Sequence, residues 1–184
     1  MICYENGIIV LSWKFMVMDT LSAIKTRRSV RNYKEGVLDV NLVSEIVSYW
    51  LYAPSAHNQQ AWKYYVISKE EDRKFLSDVM EYGKMLLTAW GCVLACFDNE
   101  CVRSGEFIQQ DMWASIENIL LAAHEKWIWT VWLWLYPHEE PMNKISERFN
   151  LSENIIPFAL ISMGVQEGEL FEKNLKSEWK IEII

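Results

Sequence analysis

The chain has 184 residues, with 18 Lys plus Arg against 25 Asp plus Glu and a formal net charge of −7. That length predicts one domain with a sizeable core, and the acidic balance excludes general nucleic-acid binding once the cations clustered at 25–31 are set aside. Four cysteines (Cys3, Cys92, Cys96, Cys101) are too sparse and wrongly spaced for a CxxC redox pair or a structural zinc site, which leaves idle thiols in a reducing compartment.

Residues 1–17 read as an extension ahead of a single domain spanning 18–184. Their apolar stretch is too short to cross a bilayer, no basic segment precedes it and no small-residue cleavage site follows. Neither a signal peptide nor an anchor is expected, and a cytoplasmic location is. The extension is either an arm that packs on a partner or an upstream addition to the domain. Residues 18–26 have the spacing of an amphipathic helix, with Met18, Leu21 and Ile24 on one face and Asp19 or Thr20 as N-cap. A basic run, Lys25 to Tyr33, follows at its C-terminal end, where cations meet the helix dipole favourably. A second helix is predicted over 39–52, carrying Leu42, Val43, Ile46, Val47 and Trp50 and stopped by Pro54. After a polar loop at 55–60, residues 63–68 read as a strand and 70–80 as a charged surface helix.

Residues 90–98 form a nearly unbroken apolar run, the mark of a central strand covered on both faces. The longest helix signal covers 107–126, its stripe made by Met112, Ile116, Ile119, Leu120 and Ala123. A strand at 127–136, a short helix at 142–149 and a last central strand at 156–163 precede a charged tail that begins at Glu167. Helices and strands interleave without strict alternation, so α+β is the expected class.

The chemistry is concentrated in the basic run, where Lys25, Arg27, Arg28 and Arg31 lie within seven residues. Two readings stand: a solvated helix end, or a site for a planar, multiply hydrogen-bonded anion such as phosphate. The chain contains no GxSxG, no HExxH, no Walker lysine motif and no GxGxxG dinucleotide fingerprint. What remains is anion capture combined with polar contacts to a flat ligand, which is what a flavin mononucleotide asks of a protein.

Four segments, in this order, resemble the nitroreductase family of FMN-dependent oxidoreductases over roughly 18–168. They are Arg27-Arg28-Ser29-Val30-Arg31-Asn32-Tyr33; the loop from Ala53 to Trp62, matching APSxxNxQPW; Asp111 to Ala123, matching D…N-x-x-LAA of a long central helix; and Thr130-Val131-Trp132-Leu133. The resemblance implies a central, mainly antiparallel sheet flanked by helices, in an intertwined homodimer with FMN at the interface. It implies that Arg27 holds the FMN phosphate with Arg28 nearby, that Ser29 bonds the phosphate or ribityl chain, and that Arg31 faces the N1/C2 carbonyl edge. There a fixed cation favours the reduced ring. It implies that Pro54, Ser55, Ala56, Asn58 and Gln60 reach the cofactor of the other subunit, and that the backbone around Trp132, Leu133 and Trp134 approaches the flavin N5. No side chain acts as a catalytic acid or base, and no metal is expected. NADH or NADPH and a small electron-poor acceptor, nitroaromatic or quinone, use one ring face in turn. Read singly, Asn58 and Gln60 equally suit turn capping, and Asn118 a satisfied polar group between helices.

The chain departs from the family in its ten tryptophans. Glycine is the family residue where Trp50, Trp113, Trp127, Trp129 and Trp134 stand here, and proline where Ala61 stands. Trp127, Trp129 and Trp134 are thus expected to crowd the segment beside the flavin, since a large side chain forbids backbone angles and approaches that glycine allows. Two other functions then come into view: a non-catalytic dimer with indoles filling the cofactor pocket, or a relative that consumes its own reduced flavin with oxygen. Lys173 and Lys176 are loose candidates for a basic phosphate ligand in the tail.

Overall fold

A computed structural model describes residues 18–168 in full and, as backbone, two short strands before them, β1 (Ile2–Glu5) and β2 (Ile8–Leu11), which pair antiparallel. The expectations for Lys173 and Lys176 lie outside the described residues. The domain is a four-stranded antiparallel sheet of β3 (Trp62–Ile67), β4 (Gly91–Asp98), β5 (Trp129–Trp134) and β6 (Ile155–Gly164), in the order β3-β4-β6-β5. Among the described residues five helices surround it: α1 (Thr20–Thr26), α2 (Val40–Ser48), α3 (Glu70–Val79), α4 (Ile108–Glu125) and α5 (Glu139–Phe149). The α+β architecture is the one expected.

The apolar runs dictate the layering. In β4 every residue from Gly91 to Phe97 is buried, and β6 is almost as fully covered, so these two strands occupy the middle of the sheet. Their register shifts by one residue between Ala95 and Cys96, where Ala95 faces Ala159 and Cys96 faces Pro157, a bulge with Phe158 of β6 as the extra residue. The buried stripe of α4 (Met112, Ile116, Ile119, Ala123) is the predicted one. Among the described residues no helix is long and apolar enough to cross a membrane.

Three sequence expectations need correction. The supposed apolar face of α1 is outside, with Leu21 65% and Ile24 52% exposed, while Ala23 is buried. Polar links to α4 set the helix's rotation instead: Thr26 Oγ1 lies 2.8 Å from His124 Nε2, and Arg27 Nε donates to Glu117 Oε1 at 3.0 Å. The helix expected over 39–52 splits into α2 and a 3₁₀ turn, Tyr49–Tyr52. Pro54 bars Ala53 from helical angles, and the Ala53 N–H closes a tighter bond to Trp50 O. Finally, α5 starts at Glu139 rather than Met142, since Pro141 in the first turn needs no N–H partner and Glu139 and Glu140 suit the dipole there.

Candidate functional site at the edge of strand β5

The basic run lies along the outer edge of β5. Val30 N–H donates to Thr130 O at 3.0 Å, and Ser29 bridges Thr130 in parallel fashion. Tyr33 anchors the far end of the run: its buried hydroxyl donates to Val30 O at 2.7 Å and lies 2.8 Å from Ser162 Oγ. Burial drives the Tyr33 phenol well above its ordinary range, so it stays protonated and serves as a fixed pin. Gly164 makes room for that ring, because a Cβ there would come within 2.7 Å of Tyr33 Cδ1. Trp90 Nε1 donates to Lys34 O and Lys34 N–H to Val165 O, locking the next turn. Arg31 therefore projects from a segment held on both sides.

Arg31 lines a cavity of about 620 Å³ together with Trp132, Leu133, Trp134, Met80, Tyr82, Met85, His138 and Glu140. Because Thr130 turns its carbonyl to Val30, alternation along the strand carries the peptide groups of Trp132 and Trp134 to the same open edge. The indoles of Trp132 and Trp134 stack with centroids 5.0 Å apart, and Trp113 of α4 packs edge-on against both. The indole N–H of Trp132 is buried without a hydrogen-bond partner among the described residues. Among those residues, Arg28 and Arg31 make no ion pair, whereas Arg27 pairs with Glu117. The cavity wall thus offers the Arg31 guanidinium, outward peptide groups and flat apolar surface.

The loop residues of the candidate site are placed at the other edge of the sheet. Residues 54–60 precede β3, which is three strand spacings, about 14 Å, from β5. Within one chain, Arg31, Trp132, Leu133 and Trp134 come together; Pro54, Ser55, Ala56, Asn58 and Gln60 form a separate group. That loop is strained. His57, Asn58 and Gln60 have φ of 51°, 51° and 46°, three of the five non-glycine residues with positive φ among the described residues. Asp111, buried at the start of α4, holds it in shape: its Oδ1 accepts from Ala56 N–H at 2.9 Å and its Oδ2 from Gln59 Nε2 at 2.6 Å. Gln59 Oε1 in turn accepts from the backbone N–H of Arg103 and Ser104. The motif in the sequence singles out Gln60 and passes over Gln59. The structure buries Gln59 as scaffold and leaves Asn58 and Gln60 exposed.

The tryptophans divide. Trp134 lines the cavity, but Trp127 and Trp129 do not; they flank a smaller one of about 310 Å³ with His124 and Thr26. Trp50 packs on Trp62 and Tyr64 at the core's rim. The expected crowding of the cavity thus reduces to one of three indoles. Asn118 reaches Tyr49 O at 3.4 Å, a contact between elements. Of the thiols, Cys92 is pushed up to about 12 by burial and Cys96 is raised for the same reason, so neither is a nucleophile at neutral pH.

Comparison with known proteins places the chain in a family. The model of the Nitroreductase family matches residues 24–90, which hold the basic run and the strained loop. A protein of Methanothermobacter thermautotrophicus is 34% identical over 151 residues, covering 82% of this chain and 79% of its own. One from Archaeoglobus fulgidus is 35% identical, covering 82% and 87%. Both bear the name "Putative NADH dehydrogenase/NAD(P)H nitroreductase". Among solved structures, one from Clostridium acetobutylicum superposes with a TM-score of 0.82 at 36% identity, covering 88% of this chain and 98% of that one. Another, from Desulfovibrio desulfuricans, was solved in complex with FMN and superposes with a TM-score of 0.74 at 25% identity, covering 89% and 96%. By its relatives and by its fold, the chain belongs to the nitroreductase family.

Proposed function

We propose that this protein is an FMN-dependent oxidoreductase that takes reducing equivalents from NADH or NADPH and delivers them to a small electron-poor acceptor of nitroaromatic or quinone type, donor and acceptor using one cavity in turn. The observation that carries the reading is the meeting of Arg31 with the open edge of β5 in a cavity of about 620 Å³, ligand-sized for a pocket of this kind. The donor set fits FMN. An isoalloxazine edge is rich in acceptors with one N–H among them, and the wall supplies a guanidinium and outward peptide N–H and C=O groups.

FMN, when bound, supplies hydride chemistry at its N5. The chain's part is to bind, orient and polarise. Arg27 and Arg28, with Ser29, hold the phosphate end. Arg31 stands where negative charge grows on reduction, and its fixed cation favours the reduced form. The backbone at Trp132 to Trp134 lines the ring. Pro54, Ser55, Ala56, Asn58 and Gln60 complete the site of a second subunit in a homodimer. Their separation from Arg31 across the sheet, and the strain stored in their loop, support that role. The persistence of the cavity beside Trp132 and Trp134 favours this reading over a dimer whose indoles fill the pocket.

A visible spectrum of the purified protein is the direct test. Flavin bands near one FMN per chain are expected, and Arg27→Ala should weaken FMN binding by about 1.5–3 kcal/mol, the worth of a charge-assisted bond. A colourless protein that ignores added FMN would overturn the assignment in favour of the non-catalytic dimer.

A further inference from the structure

We infer that Glu117 is a positioning residue for phosphate capture. It takes the Nε hydrogen of Arg27 and so presents that guanidinium to an anion by its two terminal nitrogens. The inference rests on the FMN reading above and adds to it a residue on a different element from the basic run.

Arg27 sits at the end of α1, only seven residues long, where the chain leaves helical angles at φ −53° and ψ 134°. Such a short helix gives a long side chain little support. Glu117 stands instead on the eighteen-residue α4, between the fully buried Ile116 and Ile119. Its Oε1 accepts from Arg27 Nε at 3.0 Å, and among the described residues neither terminal nitrogen of Arg27 makes a hydrogen bond. A guanidinium has five donors in a fixed fork; spending one at Nε fixes its plane and leaves the terminal pair for a bidentate oxyanion.

A carboxylate near a phosphate site also repels the ligand, so the two effects must be weighed. The Arg27 side chain is 25% exposed, but that of Glu117 is 46% exposed. Water around Glu117 screens its charge from an anion on the far side of the guanidinium, while the short hydrogen bond that sets the geometry persists. Orientation therefore outweighs repulsion.

FMN and riboflavin differ by the phosphate alone, which makes them the probes. Each is titrated against the full chain, its Glu117→Ala variant and its Glu117→Gln variant, by quenching of flavin fluorescence. Glu117→Ala should weaken FMN by about two- to fivefold, the worth of a part-exposed ion pair that holds the guanidinium plane, with riboflavin unchanged. Glu117→Gln keeps an acceptor for Nε and should recover most of that loss. Unchanged or tighter FMN binding by Glu117→Ala would make the carboxylate a bystander. A parallel loss of riboflavin would mean that α1 has merely loosened on α4. Either result overturns the inference. A wild-type chain that binds neither flavin defeats the FMN reading itself, a result distinct from wild-type binding that Glu117→Ala leaves intact.

Discussion

Trp127 shows at a single residue how side chain and backbone can disagree. It follows the last turn of α4 with φ of 59°, in the left-handed region. Ile128 N–H reaches back to Ala123 O and Trp127 N–H to His124 O, so the helix ends in a Schellman motif with Trp127 at the position where glycine is favoured. A side chain there costs about 1–2 kcal/mol, while glycine's extra unfolded-state freedom gives back about 0.5–1. The indole is only 39% exposed, and the burial it loses is worth a few kcal/mol, so Trp127→Gly should lower stability by about 1–3 kcal/mol, read as a lower urea midpoint. A higher midpoint would show that the turn costs more than the indole's contacts contribute.

Among the elements, the loop before β3 depends on α4 more than on its own sequence. Three positive-φ residues in four positions are held by one buried carboxylate and one buried amide, Asp111 and Gln59. Asp111→Ala leaves the Ala56 N–H and the Gln59 amide without acceptors, at about 2–4 kcal/mol for the pair of buried donors. The bond from Trp62 Nε1 to Asp111 O uses the main chain and survives the change. Chemical denaturation measures the loss; a cost below about 1 kcal/mol would show that the loop keeps its shape without the carboxylate.

For the molecule as a whole, the proposed function turns on whether two separated groups of residues meet in a homodimer. The Arg31 group and the loop group lie at opposite edges of the sheet. Beside the loop, Leu51 and Tyr52 are exposed, and Tyr49 and Tyr52 border an open groove of about 550 Å³ with Leu121, Ala122 and Lys126 of the α4 region. A second copy covering this face would bury it and bring its own loop to the partner's cavity. The double change Leu51→Glu with Tyr52→Glu should give a folded monomer by sedimentation that has also lost its flavin. A monomer that keeps FMN would mean that each chain carries a complete site.

How much could be read beforehand follows the range of the forces. Continuous apolar runs and helical stripes are local in sequence, so β4, β6 and the stripe of α4 were legible, as was the clustering of Arg27, Arg28 and Arg31. The split of α2 was half-legible from Pro54. Rotation of α1 was not, because Thr26 and Arg27 are oriented by His124 and Glu117, about ninety residues away along the chain. Nor was the choice between Gln59 and Gln60, since which of two adjacent amides is buried depends on the loop's positive φ angles and on where Asp111 stands. The sequence by itself determined the fold class and gathered the cations into one run, because both follow from residue type and spacing. Tertiary structure alone decided which donors are already spent, which face the cavity, and that the two groups of site residues lie apart, because those depend on contacts between distant segments.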